Sequence, residues 1–453
     1  MVMKLSYYTI IVENFPVAGE HLVYNTRTQA LVKVDQPLRD LLNGLGEVSN
    51  FPQRVRYAHE LFEMHQMGLI VQNKEEDQKK IADFFRSLKS ERIERVFQVT
   101  ILTTMACNFQ CVYCFEEGTR QNDVMSLDVC EAVISWIQRR MEALGYEGVH
   151  MTFYGGEPLL NELALEHIAR AMKNWCMSKG LAFKFSLQTN GYLLTTERVE
   201  KYKKLGLSEV RISLDGVKEY HDRNRPLRGG GKTFDRIMEN IIDNADRVKI
   251  GLSVSYDKNN VQNIEQLLDY LEGLNMLRKL GKMVCSPVHA SLGPKGHPES
   301  IRHSHCLMNY NDDSMAASAV ELDRIMTKKG LPGIKGLPIS VCSVGRRFGC
   351  MTIDPRGSIY ACNAMIGHPQ FAIGDVGRTD FNDNRKIFLE QDPVSKCPID
   401  CRYLPVCNGG CRLMAFLERQ NFDEPYCKKS YLDQMAPELI KKEYLSMARG
   451  PDG

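Results

Sequence analysis

The chain has 453 residues, which is too long for one ordinary core and predicts two or three domains. Its 58 basic and 56 acidic residues are mixed along the sequence, so charge gives no case for a nucleic-acid or anionic-membrane partner. Neither an export signal nor a run of about 18 apolar residues is found, and we expect a cytoplasmic protein.

Residues 1–90 are predicted to form a small hairpin with helices. The runs YYTIIV and HLVYNTRTQALVKV alternate around the turn-prone NTRT, which is typical of antiparallel strands. Helical patterns follow in LRDLLNGL and VRYAHELFEMHQMG. The combination resembles a winged helix, and the charged stretch NKEEDQKKIADFFRSLKSER after it is predicted to be a solvated connecting helix.

Residues 91–300 alternate β-rich runs with helical segments. The β-rich runs are VFQVTILTT, GVHMTFYGG, FKFSLQTNG, EVRISLDG, KIGLSVSY and KMVCSPV. Such alternation predicts parallel βα units, and six of them suggest an α/β fold of the partial (β/α)6, TIM-like barrel type with its site at the carboxyl ends of the strands. The motifs CNFQCVYC, GGEP, TNG and SLDG each follow one of the first four runs, so we expect them at one rim.

The rest of the chain is less regular. Residues 301–341 are predicted to be a bridging region with one helical run, SMAASAVELDRIM. Within it, His303, His305 and Cys306 are interpreted as loop or packing residues rather than metal ligands. Residues 342–430 form a cysteine-rich domain with little periodicity, and residues 431–453 are predicted to be a C-terminal amphipathic helix and tail.

The distribution of the 15 cysteines indicates metal ligands. Three of them lie in CNFQCVYC, as Cys107, Cys111 and Cys114, and eight more lie from Cys342 to Cys427. In a chain without an export signal, such clusters favour metal sites over disulfides. Three thiolates can hold three irons of a [4Fe–4S] cube and leave the fourth iron open to a non-protein ligand. A catalytic zinc with three protein ligands is the alternative that the spacing leaves open.

The other rim motifs supply groups that suit a zwitterionic amino acid carrying a nucleoside. Gly155 and Gly156 allow close backbone approach, and the carboxylate of Glu157 suits an ammonium group. Ser213 of ISLDG offers a hydroxyl, and Arg225 of HDRNRP offers a guanidinium for a carboxylate or ribose. Each motif alone is compatible with an ordinary loop, and only their combination indicates such a pocket.

CxxxCxxC with an aromatic residue before its third cysteine, followed by GGEP and SLDG, resembles the radical S-adenosylmethionine (radical SAM) enzymes. The resemblance implies that Cys107, Cys111 and Cys114 bind a [4Fe–4S] cluster whose fourth iron is chelated by S-adenosylmethionine. One-electron cleavage of that cofactor then gives a 5′-deoxyadenosyl radical that abstracts hydrogen from a C–H bond. The implied cofactor contacts are Tyr113 beside the adenine, Gly155, Gly156 and Glu157 at the amino group, and also Thr189, Asn190, Ser213 and Arg225.

The later cysteines resemble the SPASM extension of this family, which carries two auxiliary [4Fe–4S] clusters and brings the expected total to three. The resemblance implies one ligand set of Cys342, Cys350, Cys362 and Cys411, and a second set of Cys397, Cys401, Cys407 and Cys427. Two departures from the family pattern concern the pairing: Cys397 and Cys401 are separated by three residues instead of two, and fewer residues precede Gly357. A pair of zinc ribbons is the alternative without the resemblance.

The residues before the barrel favour a peptide substrate. Residues 1–90 resemble the leader-recognition domains of maturases of ribosomally made peptides (RiPP maturases), which add a leader strand to a sheet edge. We therefore expect thioether C–S or C–C crosslinking of a precursor peptide, with a reductant such as flavodoxin or ferredoxin. Alternatives are sulfatase-type or quinoprotein-type side-chain maturation, although Asn363 stands where sulfatase-maturing enzymes have an aspartate, and a non-enzymatic electron carrier or zinc scaffold.

Overall fold

The computed structural model describes residues 3–45, 51–92, 94–116, 123–257, 259–293, 309–310, 312–331, 333, 336–378 and 380–448. His303, His305 and Cys306 lie outside these residues. The chain divides into two compact units. The barrel unit comprises residues 92–309 and 343–390, and the terminal unit comprises residues 1–91, 310–342 and 391–453. Each unit therefore combines segments that are distant in sequence, and the predicted domain boundaries stay a prediction.

The strands are short and the helices moderate in length. In chain order the strands are β1 Lys4–Leu5, β2 Thr9–Val12, β3 Glu20–Asn25, β4 Leu31–Asp35, β5 Ile70–Val71, β6 Val96–Leu102, β7 Gly148–Tyr154, β8 Ala182–Thr189, β9 Leu207–Ser213, β10 Lys249–Tyr256, β11 Met283–Pro287, β12 Met351–Ile353, β13 Ser358–Tyr360 and β14 Gly374–Asp375. The helices are α1 Gln36–Asn43, α2 Phe51–Arg56, α3 Ala58–Gln66, α4 Lys74–Ser90, α5 Leu127–Leu144, α6 Glu162–Lys179, α7 Thr196–Leu205, α8 Lys218–Asn224, α9 Phe234–Asn244, α10 Val261–Gly273, α11 Asp313–Lys328, α12 Asp383–Glu390, α13 Leu404–Cys407, α14 Arg412–Arg419 and α15 Lys429–Ala448.

The barrel unit is built on a mostly parallel sheet. Strands β6 to β11 lie side by side in chain order, and each pairs in parallel with the next. They coincide with the six runs identified in the sequence, so the predicted α/β class with a partial barrel is confirmed. One extension was not predicted: β12 pairs in parallel with β6, and β13 and β14 continue the sheet as antiparallel strands.

The helices between these strands begin and end at residues suited to helix termini. The side chains of Ser126 and Thr195 accept hydrogen bonds from backbone N–H groups in the first turns of α5 and α7. Gly145 and Gly206 terminate the same helices with φ values of 61° and 110°, a region that favours glycine. Local sequence thus sets both ends of α5 and α7.

Residues of α6 and α7 form an ion-pair network around Glu162. Its carboxylate accepts hydrogen bonds from Arg198 at 2.6 Å, from Tyr202 at 2.6 Å and from Lys201 at 3.2 Å. Partial burial raises the pKa of Glu162, but these donors outweigh burial and lower it to about 2. The network therefore fixes neighbouring helices to each other on the outside of the sheet.

In the terminal unit, β2, β3 and β4 form an antiparallel sheet with both faces covered. On one face, Ile10 and Tyr24 pack in a cluster with Leu439 and Ile440 of α15. The residues of the other face pack against the helices that follow, as with Val23 in the cluster of α1 and α3. Residues from the beginning and the end of the sequence thus share one core. No helix in the described ranges is long and apolar enough to cross a membrane.

Candidate active site

The three cysteines of CNFQCVYC lie in the loop that follows β6. Cys107 and Cys111 are buried, and Cys114 is half-buried. The loop is anchored by Phe109, which is fully buried and packs edge-on against Tyr192 with ring centroids 5.9 Å apart. The backbone N–H of Phe109 donates to Cys107 Sγ at 3.4 Å. The chain therefore places these thiols inside the protein on a loop with a fixed conformation.

A second segment, which follows α8, supports the cysteine loop from one side. Gln110 N–H donates to the carbonyl of Pro226 at 2.9 Å, and Val112 N–H donates to that of Asn224 at 3.0 Å. These bonds resemble those of a short antiparallel ladder. The motif HDRNRP therefore has a backbone role at the site, in addition to the predicted role of its arginine.

Gly155 and Gly156 lie directly against the backbone that leads to Cys107. A Cβ atom on Gly155 would be 2.3 Å from the carbonyl oxygen of Thr104, and one on Gly156 would be 2.3 Å from that of Ala106. The N–H of Gly156 also donates to Thr104 O at 3.1 Å. Only glycine fits such an approach. The described contacts of this glycine pair hold the cysteine loop, and its predicted contact with S-adenosylmethionine stays a prediction.

Glu157, Thr189 and Asn190 are brought together at the carboxyl ends of β7 and β8. The fully buried carboxylate of Glu157 accepts hydrogen bonds from Thr189 Oγ1 at 2.7 Å, Asn190 N–H at 2.8 Å and Leu159 N–H at 3.1 Å. Burial raises the pKa of Glu157, and these donors oppose that rise. Asn190 Nδ2 also donates to Asn108 Oδ1 at 2.8 Å, which connects the group to the cysteine loop.

Tyr113 and Arg225 meet at a buried carboxylate. Arg225 Nη1 donates to Tyr113 Oη at 2.8 Å and lies 3.6 Å from Asp215 Oδ2. The Tyr113 hydroxyl also hydrogen-bonds to Asp215 Oδ2, while Asp215 Oδ1 accepts the backbone N–H of Ser255 at 2.9 Å. One carboxylate therefore orients both the aromatic residue of the cysteine motif and the arginine.

Sequence reasoning overlooked Asp215, although it belongs to the quoted motif SLDG. Ser213, the residue of this motif predicted to contact the cofactor, ends β9 and is half-buried. Within the described residues, the Ser213 side chain makes no hydrogen bond, whereas Asp215 is fully buried and has three partners. A carboxylate directly after an apolar strand was the available signal, because such a group is rarely buried without a partner.

The electrostatics at Arg225 fit a negatively charged ligand on the cysteine loop. Burial lowers the pKa of Arg225, but Cys111, Asp215, Cys107 and Cys114 oppose burial, and the net pKa is raised. The three thiols therefore lie within electrostatic range of one buried guanidinium. Its Nε atom is buried and has no hydrogen-bond partner among the described residues. A thiolate-bound cluster and the carboxylate of an amino-acid cofactor are the anions that this donor set suits.

The later cysteines are divided between the units. Cys350 and Cys362 belong to the barrel unit, and the other six belong to the terminal unit. Burial raises the pKa of Cys397 to about 12, with further contributions from Cys407, Cys401 and Cys427. Those three thiols therefore lie within electrostatic range of Cys397. The assignment of ligands to two sets remains a prediction.

Nowhere in the described ranges do three or more His, Cys, Asp or Glu side chains converge on a position for a single metal ion. Cysteines that hold a four-iron cube bind different irons, so their sulfur atoms need not converge on one point. The cysteine loop beside a buried cation is thus compatible with a cluster.

The sequence model of the radical SAM superfamily matches residues 101–284, which contain the cysteine loop, β7 to β10 and the buried Arg225. Residues 101–284 therefore form a radical SAM domain, and the chain is an enzyme that contains it. Membership of this superfamily implies one [4Fe–4S] cluster and S-adenosylmethionine as cofactors. The prediction made from CNFQCVYC, GGEP and SLDG is therefore confirmed at the level of the family.

Sequence comparisons show that this chain is similar to proteins with different activities. It is 25% identical over 378 residues to an Fe-coproporphyrin III synthase of Methanosarcina barkeri, which covers 72% of this chain and 86% of that protein. It is also 25% identical over 331 residues to a cysteine-type anaerobic sulfatase-maturating enzyme of Clostridium novyi, with 68% and 85% covered. Both relatives extend beyond the superfamily match.

Two solved structures share the fold of this radical SAM enzyme. Native anSMEcpe with bound AdoMet and Cp18Cys peptide has a TM-score of 0.61 at 18% identity, and the match covers 77% of this chain and 99% of that one. Streptococcus suis SuiB bound to the precursor peptide SuiA has a TM-score of 0.54 at 15% identity, and the match covers 93% and 98%. The SuiB match thus spans more of this chain.

Proposed function

We propose that this radical SAM enzyme is a peptide maturase that installs a C–S thioether or C–C crosslink in a ribosomally made precursor peptide. The observation that carries the proposal is the N-terminal sheet, whose strand β4 pairs with β3 on one side and has no strand on its other side within the described residues. An edge of this kind accepts an extended peptide as an added strand. The match to a precursor-peptide-bound structure over 93% of this chain supports the same reading.

The register of β4 identifies the backbone groups that a leader peptide would use. Asn25 N–H donates to Ala30 O. Every second residue of β3, counted back from Asn25, therefore directs its backbone N–H and carbonyl towards β4. Their partners Val32 and Val34 bond back to β3, and Lys33 directs its N–H and carbonyl to the open edge. Lys33 is therefore the central residue of the proposed docking strand.

The barrel residues have corresponding roles in the proposal. Cys107, Cys111 and Cys114 would hold three irons of the cluster, and Arg225 would bind the carboxylate of S-adenosylmethionine. Tyr113, Gly155, Gly156, Glu157, Thr189, Asn190 and Ser213 would shape the rest of that cofactor site. Bound by these residues and reduced by one electron from flavodoxin or ferredoxin, S-adenosylmethionine would supply the radical chemistry that removes hydrogen from a peptide C–H bond. The buried loop keeps water from this reaction.

The eight later cysteines complete the proposed reaction. Two auxiliary [4Fe–4S] clusters are proposed on the sets Cys342, Cys350, Cys362, Cys411 and Cys397, Cys401, Cys407, Cys427. After hydrogen abstraction, closure of a thioether joins the substrate carbon to a thiol sulfur, with loss of the thiol proton and one electron. An auxiliary cluster would accept that electron. The same sites allow a C–C crosslink with the same count of electrons.

The docking strand can be tested with two substitutions at one position. Lys33→Pro removes the edge N–H, and Lys33→Ala removes the exposed ion pair with Glu20 at 2.6 Å but keeps that N–H. The probe is a fluorescently labelled synthetic peptide encoded by the short open reading frame nearest the gene, measured by anisotropy. We expect Lys33→Pro to weaken binding and Lys33→Ala to bind as wild type. Equal binding by all three proteins would refute docking at this edge.

Maturation of a sulfatase cysteine is a second candidate, favoured by the identity to the Clostridium novyi protein. Asn363 weakens this candidate because it stands in the position of a catalytic aspartate, and its Oδ1 is engaged by the hydroxyl of Thr352. Incubation with a synthetic sulfatase peptide that contains the target cysteine separates the two candidates. Formation of formylglycine in that peptide would favour the second candidate, and its absence with crosslinking of the precursor peptide would favour the first.

A further inference from the structure

Arg412, the first residue of α14, is a buried cation that has no hydrogen-bond or ion-pair partner among the described residues. The residue is 7% exposed, and it directly follows Cys411. Its Nε and Nη1 atoms are buried and have no hydrogen-bond partner, and no ion pair involves it within the part of the chain that the structure describes. A guanidinium removed from water without compensation is strongly disfavoured. The arrangement therefore requires an anion beside Arg412.

The position of Arg412 in its helix adds to this requirement. It occupies the first turn of α14, where the aligned peptide dipoles create positive potential that repels a cation. Arg419, in the last turn of the same helix, shows the favourable arrangement: it is exposed and lies 3.6 Å from Glu424. The two arginines thus differ in both the sign of the local dipole and the presence of a partner.

The groups that act electrostatically on Arg412 include cysteines from both predicted ligand sets. Cys342, Asp423, Asp392 and Cys397 lie within electrostatic range of its guanidinium. The carboxylate of Asp423 already binds Lys396 at 3.0 Å and accepts the backbone N–H of Asp392 at 2.6 Å. Cys342 belongs to the first predicted set and Cys397 to the second. Because Asp392 is exposed to solvent, cluster-bound thiolates are the remaining source of negative charge that is shielded from water.

We propose that Arg412 is the counter-cation of the later cysteines, Cys342 to Cys427, and that its guanidinium donates hydrogen bonds to sulfur atoms of the auxiliary clusters. The inference rests on the auxiliary clusters of the proposed function. A guanidinium has five donors in a planar fork, so one side chain can serve groups on two of its edges. Positive charge and hydrogen bonds at sulfur favour the reduced state of an iron–sulfur cluster. Arg412 would thereby help the auxiliary clusters accept the electron that crosslink closure releases.

The test compares Arg412→Gln with Arg419→Gln, which makes the same chemical change at the other end of the helix. Both are prepared anaerobically with Cys107→Ala, which removes a ligand of the cofactor-binding cluster and isolates the auxiliary signals. Iron and sulfide are counted, and the reduced clusters are followed by EPR during a potentiometric titration. Neither measurement requires turnover. A third variant, Arg412→Lys, keeps the charge and loses the fork.

We expect Arg412→Gln either to titrate at a more negative potential or to lose auxiliary iron, and Arg419→Gln to match its parent in both. A full iron content with an unshifted potential in Arg412→Gln would overturn the inference. If Arg412→Gln is insoluble, Arg412→Lys decides. A negative shift of its reduction potential would support the inference, and an unshifted potential would overturn it.

The wild-type protein separates failure of this inference from failure of the proposed function. Three clusters predict about 12 iron atoms per chain, so a value near 4 would remove the auxiliary clusters and this inference with them. A value near 12 without any crosslinked peptide would contradict the maturase proposal alone. In that case the comparison of Arg412 with Arg419 still decides the role of Arg412.

Discussion

Replacing Asp215 by Asn tests whether one buried carboxylate orients the cofactor site. Asn can keep the bond from Ser255 N–H through Oδ1, but it places an amide NH2 group where Oδ2 now faces Arg225 and Tyr113. Breaking a buried ion pair ordinarily costs about 3–5 kcal/mol. Here burial raises the pKa of Asp215 despite Arg225, so the ionised carboxylate is itself costly and its removal offsets part of that loss. We therefore expect a stability loss of about 1–2 kcal/mol, at the lower end for a buried polar substitution.

The larger effect is expected on cofactor binding. Misplacing a group that orients a ligand-binding residue commonly weakens binding about 10- to 100-fold. The assay is equilibrium binding of S-adenosylmethionine to cluster-loaded protein, together with thermal unfolding of the same preparation. Tyr113→Phe is the matched control, because it removes the hydroxyl and keeps the ion pair, and we expect a smaller loss. Wild-type affinity in Asp215→Asn would refute the reasoning, as would an equal loss in Tyr113→Phe.

Three further predictions concern separate parts of the chain. Gly156→Ala should destabilise the protein by about 1–3 kcal/mol and lower its cluster iron, because the added Cβ would meet the Ala106 carbonyl. Gly273→Ala in α10 should be neutral, because the space around its Cβ is open. Iron content and thermal unfolding check both variants. Glu162, with its pKa lowered to about 2, should contribute stability that is fully present above its ordinary pKa of 4.5 and is lost as pH falls towards 2. Glu162→Gln should therefore weaken the pH dependence of the free energy of unfolding between pH 2 and pH 4.5. An unchanged slope of that free energy against pH would contradict this. Cys107→Ala should abolish S-adenosylmethionine cleavage, whereas Cys401→Ala should retain cleavage and lose peptide crosslinking, as followed by chromatography and mass spectrometry; normal crosslinking by both would refute their roles.

Much of the barrel unit could be predicted because its signals are local. The six strand runs have β-rich patterns, and the caps at Ser126 and Thr195 and the glycines at helix ends lie within a few residues of the elements they limit. The motifs after the strands could be placed at one rim because parallel strands end on the same side. The cysteine loop followed from spacing alone.

The features that escaped prediction depend on contacts between distant residues. The strand β12 has only three residues, and its parallel pairing with β6 leaves no periodic signal in the sequence. Asp215 acquires its role only when the fold brings it to Tyr113, a residue on another loop. Likewise, the sequence of α15 indicated an amphipathic helix but did not reveal that its partner is the N-terminal sheet. These long-range contacts leave no periodic pattern in the sequence.

The shared core of β2, β3 and α15 has a consequence for synthesis on the ribosome. Ile10, Val12 and Leu22 leave the exit tunnel early, but Leu439 and Ile440, which pack in the same cluster, emerge more than 400 residues later. Until then, one apolar face of the N-terminal sheet stays uncovered while the parallel strands of the barrel are synthesised. A nascent chain in this state is exposed to aggregation, and chaperone binding during translation would protect it. The terminal unit therefore completes its folding only after the end of the chain has been synthesised.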